Sequence, residues 1–294
     1  MTLDTLLLIT TLLTSPYSSE TKATDPSEIA MVEGESLMKN VFDRFHINYE
    51  MSRLHKVGYY KEAVSDKLAT YYLAEGIVDI YIPCNLNQEA GAAVKPIKTR
   101  KKVFENLDQE KLLLGNASDM ARSSIWRPNS FLNNKNRDNY FFEYAGEVEL
   151  NGNNVSLIEF SPSNSHGNVS GKIYVDKTYY AIVKIEYTPM VTGSGVWKSV
   201  DWTENFEFKN GAYQLVSVQF QGVSFEDELY YNASLIMDQI EVIRRIPENE
   251  LFIDFDAPLF EKASEDFNEN FWDGYDFLKK EIKADANLIA SESL

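Results

Sequence analysis

Cysteine occurs once in the 294 residues, histidine three times, glycine 14 times and proline 9 times. A single cysteine excludes a disulfide framework and a cysteine-ligated metal. His46, His55 and His166 have no ligand-like partner three or four residues away, so their spacing builds no zinc or non-haem iron site. Positive charge is also scarce, with 28 Lys and Arg against 45 Asp and Glu, a formal charge of −17. That balance excludes a general nucleic-acid binder, which needs a basic footprint to displace counterions from phosphates. No apolar run approaches the roughly 18–20 residues that span a bilayer, so no transmembrane segment is expected. Phosphate-binding loops, dinucleotide fingerprints and G-x-S-x-G elbows are missing too, and no cofactor is implied.

What the chain does have is aromatic side chains: 17 Tyr, 17 Phe and 4 Trp, within 44% apolar residues overall. That content excludes disorder as the main state. Residues 1–24 read as an N-terminal strand remnant or an atypical signal segment. Leu6–Ile9 and Leu12-Leu13 are apolar, but Asp4 stands where a signal peptide carries Lys or Arg, and no basic residue precedes Lys22. Asp25-Pro26-Ser27-Glu28 is a helix start, with Asp as N-cap, Pro in the first turn and Glu three residues after the cap. Leu37, Met38, Val41, Phe42 and Phe45 then mark one face of an amphipathic helix ending near His46–Asn48.

From Tyr59 onward the period changes to two. Val57–Val64 and Ala69–Ile82 flank Ser65-Asp66-Lys67 and read as a hairpin. Tyr140–Leu150 and Val155–Phe160 flank Asn151-Gly152-Asn153, where Asn-Gly supplies the positive φ of a tight turn. Lys172–Val175 and Tyr180–Tyr187 flank Asp176-Lys177-Thr178, and Val196–Phe208 and Tyr213–Val223 flank Asn210-Gly211. A further strand is expected over Leu235–Ile246. Consecutive hairpins without helical crossovers mean an antiparallel meander, and eight or nine long strands should curl into a half-barrel or barrel. The expected fold is α+β: a large curved antiparallel meander, an N-terminal amphipathic helix packed on it, and a C-terminal acidic, aromatic segment. Residues 25–283 form one domain with an inserted region at 83–139, and 284–294 form a frayed tail.

Asn85–Lys95 reads as a loop, followed by the basic cluster Lys98-Thr99-Arg100-Lys101-Lys102. Segment 95–127 holds eight basic and four acidic residues, locally positive in a negative protein. Long insertions in compact folds are often functional. Asp119, Arg122, Trp126 and Arg127 are therefore the candidate ligand-binding residues, for an anionic or sugar-like group. The bland alternative is that Leu112–Leu114, Met120 and Trp126 plug one end of the sheet. Residues 248–294 hold 13 acidic and 4 basic residues together with Leu259, Phe260, Trp272 and Tyr275, a pattern expected of a segment docked by apolar anchors. Acid pairs such as Glu147/Glu149 and Glu226/Glu228 share a strand face, as solvated sheets also do. They leave a carboxylate-dependent hydrolase of glycans or peptides open as a weak alternative.

Several strings carry a resemblance. They are Gly58-Tyr59-Tyr60-Lys61-Glu62, Tyr72-Leu73-Ala74-Glu75-Gly76-Ile77-Val78-Asp79-Ile80-Tyr81, Leu113-Leu114-Gly115-Asn116-Ala117-Ser118-Asp119-Met120, Gly171-Lys172-Ile173-Tyr174-Val175-Asp176 and Asn270-Phe271-Trp272-Asp273-Gly274-Tyr275. In order and spacing, residues 30–280 resemble the part that follows the N-terminal module in Bacteroidota carboxypeptidase-like regulatory domain-containing envelope proteins. The small β-sandwich that names the family is not recognisable in residues 1–30. The resemblance implies the periplasm or outer-membrane surface and no peptidase activity. The leading expectation is a non-enzymatic envelope protein whose curved sheet binds a lipid or an envelope protein partner, by fold-level analogy with lipoprotein carriers. The alternative is a scaffold or interaction module without a small ligand, its C-terminal aromatics in solvent.

Overall fold

The computed structural model describes residues 26–84, 91–104, 113, 115, 117–191, 195–225, 229–247, 258–264, 272 and 275. It opens with helix α1 (Pro26–Asp43), then a single turn, α2 (Phe45–Asn48). Met38 and Val41 are fully buried and Phe45 nearly so, with Leu37 and Phe42 packed against the same core, so the apolar stripe is a packing face. Asp25, the expected cap, lies outside the described residues.

Ten strands follow. These are β1 (Leu54–Ser65), β2 (Thr70–Ile82), β3 (Ala93–Val103), β4 (Tyr140–Leu150), β5 (Asn153–Pro162), β6 (Val169–Asp176), β7 (Ala181–Pro189), β8 (Trp197–Lys209), β9 (Ala212–Ser224) and β10 (Tyr230–Val242). They form one antiparallel, unclosed sheet in the order β3-β2-β1-β10-β9-β8-β7-β6-β5-β4. The α+β curved-sheet expectation holds, and its hairpins fall where the turn residues placed them. Asn151 and Gly152, and Asn210 and Gly211, all have positive φ, the geometry that Asn-Gly turns adopt without steric cost.

Two features differ from the expected layout. First, the 83–139 region contains β3, and the basic cluster lies on it. Lys and Thr obscure the period-two signal there because β3 is an edge strand, where charge on the backbone ribbon discourages pairing with other chains. Second, β7 does not alternate throughout. Ile182 and Ile185 are both fully buried, although three residues apart. A register shift at Tyr174/Val175 pairs Val175 with Ile182 and Tyr174 with Lys184, so Val183 is the bulged residue and the phase flips.

Both sheet edges are covered. On β4 lies α1, whose Gly34 is close enough that a methyl group there would sit 2.2 Å from the Phe142 carbonyl oxygen. The Phe142 amide donates to the Glu35 carboxylate at 3.3 Å. Along β3, Lys101 N donates to Ser264 O at 2.7 Å. Beside it helix α4 (Leu259–Lys262) buries Leu259 and Phe260. Phe260 lies 4.5 Å from the Tyr72 ring and beneath the Lys101 ammonium.

The inner face of the sheet and these helices share one core. A second, smaller cluster lies on the outer face, where Tyr59 and Ile77 are packed by Val57, Ile236, Trp272 and Tyr275. Arg100 stacks on Trp272 and pairs with Glu75 at 2.5 Å. The C-terminal anchors that are described are thus docked on the sheet.

Candidate functional site

The concave face is filled from the connection between β3 and β4. Helix α3 (Ala117–Met120) and two 3-10 turns, Ser124–Trp126 and Arg137–Asn139, form a plug. Met120, Ala121, Ile125, Trp126, Phe131 and Leu132 are all buried in the core shared with the strands. Phe131 stacks on Phe160 at 4.2 Å, and Trp126 meets Phe45 and Tyr49 edge-on. Short turns cannot satisfy their own backbone as a long helix does, and one buried carboxylate compensates. Glu204 of β8, fully buried, accepts from Ser124 N, Ser123 Oγ and Ser124 Oγ, each at 3.0 Å, and from Tyr187 Oη at 3.1 Å. This clamp holds the plug to the sheet.

The four candidate residues all lie on the plug, in one stretch of nine positions, but they do not converge on one ligand. Arg127 donates to the carbonyls of Asp119 and Arg122 and lies over the Trp202 ring, which makes it a brace of the chain around α3. The Asp119 side chain points to the surface, and its carboxyl is pushed up by partial desolvation against the pull of Arg127. Trp126 is 7% exposed and belongs to the core. Arg122 faces a cavity, whose wall Trp126 shares.

That cavity, 30 Å³, lies between the plug and the sheet, with Tyr49, Glu50, Leu54, Lys56, Ile82, Arg122, Trp126, Phe206, Tyr213 and Leu215 among its walls. It exists because the sheet splits. β10 pairs with β1 as far as Leu54↔Val242, but with β9 only from Tyr230↔Val223 to Ile236↔Ser217. Below that point β9 loses its β10 neighbour. Tyr49 takes part of the vacated edge through a bridge to Tyr213, and Lys56 Nζ donates to Leu215 O at 2.8 Å. On the outer side the same split opens into a polar hollow lined by Lys209, Asn210 and Asp238–Glu241. There Lys209 pairs with Glu207 and Asp238, and Asn210 Nδ2 reaches Ile240 O across the gap.

Lys56 is marked by no motif or spacing in the sequence. It is 1% exposed, and burial, with Lys209 nearby, pulls its ammonium down to about 7. Lys56 occupies an inward position of β1, between Leu54 and Gly58, where a period-two reading expects an apolar residue. The departure from alternation was the only trace in the sequence.

A second buried group on β1 is Glu62. It accepts from Tyr60 Oη and Tyr231 Oη, both at 2.7 Å, and from Gly115 N at 3.3 Å. Desolvation raises its carboxyl above the ordinary range. The strand order puts β1 and β8 three steps apart, on the order of 15 Å, too far for Glu62 and Glu204 to act on one bond as glycosidase carboxylates do. Glu147 pairs with Lys177 at 2.5 Å on the surface, and Glu226/Glu228 lie outside the described residues. Among the described residues no group of three or more His, Cys, Asp or Glu is arranged to hold a metal, and no helix is long and apolar enough to cross a membrane.

No family model matches the sequence, and no curated protein matches it either. Among solved structures the chain is similar to a DUF1329 family protein from Desulfovibrio piger, at 10% identity over 73% of this chain and 95% of that one, with a TM-score of 0.37. It is also similar to a putative outer membrane lipoprotein-sorting protein domain from Vibrio parahaemolyticus, at 11% identity, 74% and 96% coverage and a TM-score of 0.36. A LolA superfamily protein from Nitrosomonas europaea matches at 13% identity, 73% and 94% coverage and a TM-score of 0.33. Likenesses this distant carry no functional argument, and the reading that follows stands on the geometry of this chain.

Proposed function

We propose that this is a non-enzymatic binding protein of the cell envelope, in which the concave face of the open sheet takes an acyl-chain guest in place of the plug. The observation that carries the reading is how the apolar inner face is covered. A second sheet or a long helix would bury it permanently. Instead its cover is a run of short turns, bonded to the sheet at Glu204 and otherwise held by side chains such as Trp126 and Phe131. A 30 Å³ cavity admits about two water-sized atoms, so a guest binds only with the plug displaced, and Trp126 and Phe131 mark the volume its chain would occupy. The envelope location is supported by the family resemblance of residues 30–280.

The scaffold alternative expects the aromatics of the 255–278 segment in solvent, and the docked Trp272 and Tyr275 favour the ligand reading. Native mass spectrometry of the full chain, purified from cell envelopes without detergent, tests the proposal. Added mass matching aliphatic lipid is expected. A protein found only at its own mass, which also fails to take up decanoate or decanol after delipidation, overturns it.

A further inference from the structure

We propose that the cavity between Lys56 and Arg122 is a carboxylate-binding site, which receives the head group of the guest while its chain runs under the plug. This rests on the acyl-chain reading above for the source of the carboxylate, but the site itself rests on the chemistry of its walls.

The first observation is the charge left inside. Lys56 donates to one backbone carbonyl, Leu215 O, and among the described residues no carboxylate lies within ion-pair distance of it. A buried ammonium without a counter-ion is expensive, and a protein either deprotonates it or supplies an anion. The depressed value near 7 shows how poorly the present surroundings support the charge. The charged and titratable groups around it are Arg122, Glu50, Tyr49 and Tyr213 on the cavity wall and Lys209 beyond the split. Glu50 is turned to the backbone amide of Ser52 at 2.8 Å.

The second observation is the opposite wall. Arg122 is 6% exposed and faces the same 30 Å³ space. Burial and the neighbouring Arg127 both pull its guanidinium down. The charge that lowers Lys56 is Lys209 and the one that lowers Arg122 is Arg127, and an anion in the cavity that both side chains line would be attracted to each. Room for about two water-sized atoms suits the two oxygens of a carboxylate. Arg presents a planar fork and Lys a point charge, a pairing that can hold both oxygens.

The third observation is polarity below the charges. Leu54, Ile82, Ala121, Trp126, Phe206 and Leu215 form the apolar part of the wall, beside the polar Ser123 and Gln214. A chain attached to the carboxylate continues onto apolar surface, toward the plug.

The test uses isothermal titration calorimetry on the full chain with three probes: sodium decanoate, 1-decanol and sodium acetate. Decanoate is expected to bind at least tenfold tighter than decanol. Lys56→Met is expected to remove that difference while decanol binding persists. Because the variant can fail to fold, the wild-type protein is also followed by NMR of the Lys56 side chain, whose titration is expected to move to higher pH when decanoate is bound. Acetate bound through Lys56 as tightly as decanoate supports the carboxylate site but assigns it to small free carboxylates and overturns the acyl-chain reading. Equal binding of decanoate and decanol, with no movement of the Lys56 titration, overturns the site while the acyl-chain reading stands. No binding of any probe overturns both.

Discussion

Lys56 lowers the stability of the fold most strongly near and below neutral pH. Its ammonium titrates near 7 in the folded protein and near 10.4 in an unfolded chain. Between those values the unfolded chain holds a proton that the folded one has released, so the contribution of this site to stability rises with pH, by roughly 1.4 kcal/mol per unit. Below about 7 both states are charged and the slope disappears. Lys56→Met removes the slope. The stability of wild type relative to Lys56→Met is therefore expected to rise by roughly 2 kcal/mol between pH 7 and pH 9, measured by urea unfolding at each pH. An unchanged difference would show that the lysine is solvated in the folded state. Glu62 acts with the opposite sign. Its carboxyl is raised by burial, so the folded state holds the extra proton, and the contribution of Glu62 falls as pH climbs above the ordinary range near 4.5.

At the scale of elements, the plug is the part whose cover is least regular. Three of its hydrogen bonds to the sheet converge on one side chain, Glu204. Glu204→Ala leaves the Ser124 amide, two serine hydroxyls and the Tyr187 hydroxyl without their acceptor, at an expected cost on the order of 3 kcal/mol. Because three of these four bonds tie the plug to the sheet, the loss is expected to appear first as local opening. Amides of 121–126 should exchange faster by hydrogen–deuterium mass spectrometry, while those of β5 and β6 keep their protection. Uniformly faster exchange across all strands would show instead that the plug is inseparable from the sheet. The same scale shows what the hairpins owe to local residues. Asn151-Gly152 and Asn210-Gly211 take positive φ, and their turns stand where the dipeptides occur. β3 has no such marker, because an edge strand rich in Lys looks polar throughout.

At the scale of the molecule, the chain folds back so that β10 pairs with β1, bringing the last strand beside the first and leaving β3 and β4 as the two edges. One core cluster joins α1, the plug and strands on both sides of that seam. Thermal unfolding is therefore expected as a single transition, with far-UV and near-UV circular dichroism coinciding. Two separated transitions would mean that β1–β3 and β4–β10 are distinct units. The net charge of −17 is unevenly spread, with a net −9 in residues 248–294 and a locally positive stretch at 95–127. Part of that positive stretch now has a place, on the outward edge of β3 against α4.

The sequence by itself determined the α1 stripe, the positions of the Asn-Gly turns and the antiparallel succession of β4 to β10, because each depends on residues close together along the chain. Even the plug was foreshadowed by Met120 and Trp126, apolar side chains in a polar insertion. Only the tertiary structure decided what those residues surround. Lys56 meets Leu215 across 159 positions, and it does so because β10 leaves β9 before β9 ends. Arg122 joins it because Glu204 draws Ser123 and Ser124 onto β8. Arg127, from the same short stretch, became a brace for α3. Arg122 and Arg127 are the same residue type, five positions apart. The difference is which carbonyl or carboxylate the fold brings within reach, and that follows from strand pairing over long separations, which no local pattern encodes.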